Sequence, residues 1–507
     1  MSEQTKQSKV NFWSDNLPKI YFVLQILFGI AACFWILINH QPKTGDDVEH
    51  LHSAWLVFQG EIPYRDFFQH HNPLLWYLFS PLVGFFAYDL AIYDIVRIIS
   101  TFAMFLTLWI TAQITSKFIS HAKYAGLLTI ASVFPSYIVL SGQDFRPDNY
   151  MVLCFMAGLY FFFDYLKEKR LNKLVYSFVF MWLTFMFMQK SIFFLGLFGL
   201  IVLYQLYKKE VKFQDFTYAL IIPLLGMSGF ISWLAYYDLF EKYWLCNFVF
   251  NLYIPDVYNN LAEPTHIEFY LLSAIAFLGA IYFLWRGSVA AKIISILWIS
   301  EAVQRFFYFS LDRHYYYFLD VLDAVLAGGI IWEIVKRWKS SAYLFVALSI
   351  AACWPFITYC RDNKLSPDYF RYVTPKYVLE QTNRCDAVLN GYGLTYGIFT
   401  KDITYYWNLN GQLDVIGDKI GLAPLPDLNA VVEKYLPQII YTGPFWDERL
   451  RHRDINKPVH WIDATLRDKY YYQSLFVDIF LLKPEYQQQR RCRYDAATNT
   501  WNYYYKE

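Results

Sequence analysis

Runs of about twenty apolar residues, each ended by a short polar connection, recur from the N-terminal region to about residue 360, and that length is what a helix needs to cross a bilayer's hydrocarbon core. Backbone amides in such a core find no water, so runs of this kind fold as helices. The candidate spans are Ile20–Ile38, Asp94–Ile114, Tyr124–Leu140, Tyr150–Leu166, Leu174–Met188, Ser191–Tyr207, Phe216–Tyr236, Phe269–Trp285, Ile293–Ser310, Tyr317–Ile334 and Ala342–Thr358, about eleven in all. Composition agrees: 56% of the 507 residues are hydrophobic and only 17% are charged, against roughly 25% charged in soluble domains. A net charge of +1 without a basic patch excludes a nucleic-acid partner and leaves membrane lipids as the surroundings. Ile20–Ile38 exceeds the apolar core of a signal peptide and lacks a small-x-small cleavage pattern, so it reads as a retained first span.

Basic clusters mark every second connection: Lys6/Lys9/Lys19, Lys117/Lys123, Lys167/Lys169/Arg170/Lys173, Lys208/Lys209/Lys212, Arg286/Lys292 and Lys336/Arg337/Lys339. The positive-inside rule makes these connections and the N-terminus cytoplasmic. Gly45–Trp76, Gln143–Asp148, Gln189–Lys190, Asp238–Glu268 and Asp312–Tyr317 then face the other side, and they hold most of the unusual chemistry. After Cys360 the spans stop. "AVLNGYG", "LNAVVEKYLPQIIYTG" and "QSLFVDIFLLKP" mix helical and strand patterns, which predicts a small α/β domain. The expected architecture is a polytopic α-helical membrane domain over 1–359, with a first outer loop at 39–93, and an extracytoplasmic α/β domain over 360–507. Cys385 and Cys492 could pair there in an oxidising compartment. No internal repeat is visible, which argues against a transporter built from two similar halves.

The first outer loop carries the densest titratable chemistry. Thr44 and Asp47 have capping-box spacing and Gly60 is a natural stop, so a short helix is expected over Gly45–Gln59. Val48, Leu51, Trp55 and Phe58 share its apolar face, which suits a helix lying in the outer interface. Asp46 and Asp47 sit in its first turn, with His50 one turn beyond Asp46. Acidic residues there also simply complement the helix dipole. Asn72-Pro73 reads as the N-cap and first residue of the next helix, leaving His70 and His71 beside a positive helix end that would welcome an anion.

The acidic pair, the string "G-x-x-P-Y-R-D-F-F-x-H-H-x-P" over Gly60–Pro73, and "RPD" at Arg146-Pro147-Asp148 together resemble bacterial membrane glycosyltransferases of the C-type (GT-C) superfold. The nearest groups are the protein O-mannosyltransferase-like and lipid A aminoarabinose transferase-like families. The resemblance covers the membrane region in topology and the outer domain in general plan. It implies transfer of a sugar from a polyprenyl-phosphate donor to a lipid, glycan or protein acceptor at the outer face, with a first-loop Asp near the reacting centre. The family's pair is commonly Asp-Glu, where this chain has Asp46-Asp47.

Inverting displacement of a lipid phosphate needs a carboxylate to take the acceptor proton and cations to hold the leaving phosphate. Asp46 is the expected base, with Asp47 beside it and Asp148 as a second carboxylate. Arg146, Lys190, Arg313 and His314 are basic at outer span ends, against the positive-inside bias, and with His70 and His71 are the expected phosphate ligands. Snorkelling to headgroups is the plainer use of Lys190 and Arg313. His50, Arg65, Asp66 and Tyr315 complete the expected substrate cavity. Glu301 and Arg305, one turn apart inside a span, read as a structural ion pair. No cofactor is firmly expected: His50-x-His52 with His70, His71 and nearby acids offers ligands for a divalent ion, but the spacing matches no firm metal signature. The rival reading is a flippase or transporter of the same lipid-linked sugars, which has less need of carboxylates fixed on an interfacial helix.

The alternation of basic connections yields a direct test. A cysteine placed within Gly45–Trp76, or after Cys360, should react with an impermeant reagent added outside, and one beside Lys169 should not. The opposite pattern would overturn the orientation.

Overall fold

The structure is a computed structural model that describes residues 19–35, 37, 46–133, 142–253, 267–307, 317–347, 374–382, 386–390, 398–403, 405, 420, 428–442, 468–474, 478–487, 490–495 and 500–505. Most of the apolar runs within them are helices that overshoot their hydrophobic windows. Tyr150–Leu166 lies inside Pro147–Glu168, Leu174–Met188 largely inside Leu171–Phe187, and Tyr317–Ile334 inside Tyr317–Arg337. Hydropathy reports the apolar slab, whereas a helix continues until its backbone is stopped. Pro147 opens one helix at its first position, and Lys169 closes it in the left-handed conformation at φ 56°. Among the described residues four helices are long and apolar enough to cross a membrane: Ala91–Ile119, Pro147–Glu168, Gln189–Tyr207 and Phe213–Tyr236. The chain divides into two units, one of Met1–His40, Arg97–Phe230 and Leu261–Leu365, the other of Gln41–Val96, Ile231–Asn260 and Ser366–Glu507.

The first unit is a helix bundle in which Tyr317–Arg337 is buried on nearly every face. Such a helix meets its neighbours through small residues. A Cβ added to Gly328 would lie 2.7 Å from Thr129 Cα and 2.8 Å from Thr129 N, and one added to Gly279 would lie 2.8 Å from Leu326 O. The same helix buries Asp323, a carboxylate the sequence reading passed over. Ser273 Oγ and Trp298 Nε1 each donate to it at 2.5 Å, so one acid ties three helices together. Glu301 is buried as well; the Arg305 side chain, and with it the expected ion pair, lies outside the described residues. On the connections read as cytoplasmic, Lys173 pairs with Asp164 at 3.0 Å and Lys169 with Glu210 at 2.6 Å.

In the second unit the expected α/β patterns form a five-stranded sheet from β1 (Ala387–Asn390), β2 (Lys401–Asp402), β3 (Ile439–Thr442), β4 (Tyr470–Ser474) and β5 (Asp478–Leu482). The order is β2-β1-β3-β5-β4, parallel from β2 to β3 and antiparallel beyond. Helix Leu428–Tyr435 precedes β3 as expected, and its Val432 packs with Leu389, Ile440, Phe480 and Leu482 in the sheet's core. A further hairpin pairs β6 (Arg490–Asp495) with β7 (Thr500–Tyr505). Cys385 lies outside the described residues, as does the Cys492 side chain.

This unit also joins the C-terminal segment to the first loop. Phe68 N donates to Tyr405 O at 2.8 Å, Tyr405 Oη returns a bond to Tyr64 O at 2.7 Å, and Lys401 pairs with Glu61.

The glycine contacts give a paired test in detergent-purified protein. Gly328→Ala must push Thr129 backbone aside, at a cost of about 1–3 kcal/mol, and should lower the thermal unfolding midpoint. Gly196→Ala meets nothing within 4 Å and should leave the midpoint unchanged or raise it through helix propensity. Equal midpoints for the two variants would contradict the close helix approach.

Candidate functional site

The first-loop helix runs over Asp46–Phe58 and stops at Gly60, whose φ of 88° suits glycine and whose N–H donates to Val57 O. Thr44 and Gly45, the expected cap, lie outside the described residues. The polar side of this helix is enclosed along with most of its apolar side. Glu49, His50, His52 and Ser53 are as buried as Leu51 and Trp55, while the apolar Phe58 is 45% exposed. The polar residues are inside because a second polar run, Gln69–Asn72, is buried with them.

Two buried polar runs can share a core only if they hydrogen-bond to one another. Gln69 Nε2 donates to Glu49 Oε1 at 2.9 Å and to Ser53 Oγ at 2.8 Å. Trp76 Nε1 donates to His50 Nδ1 at 3.2 Å, which leaves the proton of neutral His50 on Nε2. The His50 and His71 rings lie 5.5 Å apart and the His70 and His71 rings 4.0 Å. His70 Nδ1 stands 3.9 Å from Glu49 Oε1.

The backbone of the run is pinned too. Tyr64 Oη donates to His71 O at 2.5 Å and Asn251 Nδ2 to His70 O at 2.9 Å. Asn72 Oδ1 accepts from Tyr243 Oη at 2.8 Å; the helix that follows is Leu74–Phe85, and Pro73 before it already has helical φ and ψ of -84° and -3°. Tyr64 takes φ 69° to make the turn. Burial drives the Tyr64 and Tyr243 hydroxyls well above the ordinary tyrosine range and keeps both as neutral donors.

Of the residues expected at the site, Asp46, Asp47, His50, His70 and His71 belong to this unit's first loop. Asp46 is partly exposed and Asp47 fully buried. Arg65 and Asp66 pair with one another at 2.8 Å; Asp66 Oδ2 also accepts from Ile62 N, and the Arg65 guanidinium lies 5.5 Å from the centre of the Tyr237 ring. Gln69, Trp76 and Tyr243 went unassigned from sequence, although a polar Gln-His-His-Asn run between aromatic segments was a visible sign of a buried network.

In the first unit, Arg146, Asp148 and Lys190 come together. Arg146 is the extended residue before helix Pro147–Glu168, and Asp148 lies in that helix's first turn. Arg146 Nη2 is 3.4 Å from Asp148 Oδ2, while Lys190, in the 3₁₀ turn Gln189–Ser191, forms an ion pair with Asp148 Oδ1. Arg146 and Asp148 are each 3% exposed, and the Lys190 side chain is 30% exposed. Two cations thus meet on one carboxylate, and the cluster is partly open to solvent through Lys190. Arg313, His314 and Tyr315 lie outside the described residues.

No protein-family model and no curated protein sequence matches the chain. Solved structures do match. ArnT from Cupriavidus metallidurans in the apo state superposes with a TM-score of 0.56 at 11% identity, covering 90% of this chain and 97% of that one. The chain therefore has the fold of ArnT. ArnT bound to undecaprenyl phosphate gives 0.47 at 12% identity, over 74% and 67% of the two chains. Archaeal oligosaccharyltransferase AglB from Archaeoglobus fulgidus, with an inhibitory peptide and a dolichol-phosphate, gives 0.49 at 11%, over 98% and 75%.

His52 provides a pH test of the first-loop packing. It is fully buried, its Nδ1 donates to Ile398 O at 2.7 Å, and burial lowers its pKa from 6.5 to about 4. The folded state thus favours neutral His52. Its contribution is complete above the unfolded pKa near 6.5 and is lost as pH falls toward 4, on the order of 3 kcal/mol in all. Thermal midpoints should fall between pH 7 and pH 5, and His52→Asn should flatten that fall. An equally steep fall in the variant would rule out His52 as its source.

Proposed function

We propose that this chain is a membrane glycosyltransferase that moves a sugar from a polyprenyl-phosphate-linked donor to a lipid, glycan or protein acceptor at the outer face of a bacterial inner membrane. About eleven spans carry it, with a cytoplasmic N-terminus and a C-terminal domain in the periplasm or outside. The observation that carries the reading is an acidic pair held at the start of a buried, hydrogen-bonded helix, in a chain with the fold of ArnT.

The pair divides by burial. A general base must reach the acceptor's hydroxyl, and Asp46 is partly exposed, whereas Asp47 is enclosed and serves to set the first turn. In the proposed inverting step the acceptor oxygen attacks the anomeric carbon and its proton passes to the Asp46 carboxylate. The bond from the anomeric carbon to the phosphate oxygen breaks, and polyprenyl phosphate departs with the electron pair. Negative charge grows on that phosphate oxygen, which is the task for Arg146 and Lys190, joined in this reading by Arg313 and His314. Asp148 holds the two cations in place through its ion pairs and keeps the group from a bare double positive charge.

The test is release of labelled polyprenyl phosphate by purified protein in detergent with a mixed acceptor extract, where a flippase has no second compartment to work across. Wild type should release it. Asp46→Asn should slow release by ~10²–10⁴-fold while donor binding persists. Arg146→Ala and Lys190→Ala should weaken polyprenyl-phosphate binding and transfer together. Lack of release with every acceptor, beside sugar-lipid translocation in sealed vesicles, would replace the transferase by a transporter.

A further inference from the structure

We propose that Glu49, His70 and His71 form a divalent transition-metal site that clamps the first-loop helix to the Gln69–Asn72 run. The inference concerns metal binding and stands independently of the transferase reading. One carboxylate oxygen and one ring nitrogen from each histidine all lie within 4.8 Å of one another, and all three residues are buried. The Glu49–His70 pair is already at 3.9 Å. A closed tetrahedral zinc site with ligands at ~2.0–2.1 Å sets its donors about 3.3 Å apart, so side-chain rotations of about an ångström close this one.

The donor chemistry selects the ion. Two imidazoles and one carboxylate suit Zn²⁺ and its neighbours, whereas Mg²⁺ and Ca²⁺ prefer oxygen-rich sets. Three protein ligands leave a coordination position for water or another oxygen. The surroundings are those of a supported site, since Gln69 Nε2 orients Glu49 and the carbonyls of His70 and His71 are held by Asn251 and Tyr64. Adjacent histidines project differently from one backbone, so a pinned backbone is what brings both rings to a single acid. The ion would also lower the cost of enclosing a carboxylate between imidazoles. On this assignment, positive charge in the loop comes from the ion rather than from protonated His70 or His71.

The experiment uses full-length protein in detergent, purified without a polyhistidine tag, stripped with chelator and titrated with Zn²⁺ or Co²⁺. The expected result is one ion per chain, a rise of several degrees in thermal midpoint, and a low-coordinate Co²⁺ absorption spectrum. Glu49→Gln and His71→Asn keep the approximate shape and should each weaken uptake at least ~10-fold; Arg65→Ala, outside the site, should not. X-ray absorption of the zinc-loaded wild type needs no variant to fold, and should show two imidazoles with oxygen ligands and no sulfur. Absence of stoichiometric uptake by folded wild type, a different ligand set, or undiminished uptake in both folded variants would overturn the site.

Discussion

Gln69 is the side chain on which the first loop's arrangement depends. Its amide bridges Glu49 and Ser53, one turn apart on the Asp46–Phe58 helix, and fixes that helix against the run that carries His70 and His71. A buried amide donating twice replaces water for two acceptors, and without it the polar side of the helix would have to face solvent. That side would then no longer be enclosed with the histidines. The outward position of Phe58, the hydrogen bond from Trp76 to His50 and the first turn at Asp46 all accompany this one inversion of burial.

The first unit meets the same constraint with charge. Asp323 is enclosed and receives two donors from two other helices; Asp148 is enclosed and receives two cations. The outcomes differ because the donors differ. Neutral donors around Asp323 make a tie between helices, with the bundle's close packing at Gly328 beside it in sequence. Cations around Asp148 make an ion-paired group with one arm, Lys190, partly in solvent. The same residue type is thus held by neutral donors in one place and by cations in the other.

Chain connectivity hides how the second unit is built. Its sheet comes from the last quarter of the chain, while its helical part comes from the first outer loop and from Ile231–Asn260. The contacts that join them end on backbone carbonyls: Phe68 N donates to Tyr405 O, Tyr405 Oη to Tyr64 O, and His52 Nδ1 to Ile398 O. A hydrogen bond to a backbone carbonyl hundreds of residues away leaves little mark on composition or periodicity.

What the amino-acid sequence determined by itself is whatever depends on local periodicity and chain stereochemistry. The apolar helices, the stop at Gly60, the proline-led start at Pro147 and the strand after Leu428–Tyr435 are all of this kind. The acidic pair at Asp46-Asp47 and the Arg146–Asp148 turn were also legible, because each lies within three consecutive residues. Which face of the Asp46–Phe58 helix is buried was decided only in three dimensions. Amphipathicity assigns the polar face to water, and that assignment reverses when a distant segment supplies matching donors. The same holds for Asn72, which bonds Tyr243 far along the chain, and for Lys190, which reaches Asp148 across 42 residues. A side chain with two available partners follows the one that the packed structure brings within hydrogen-bond distance, and that distance is a property of the tertiary fold.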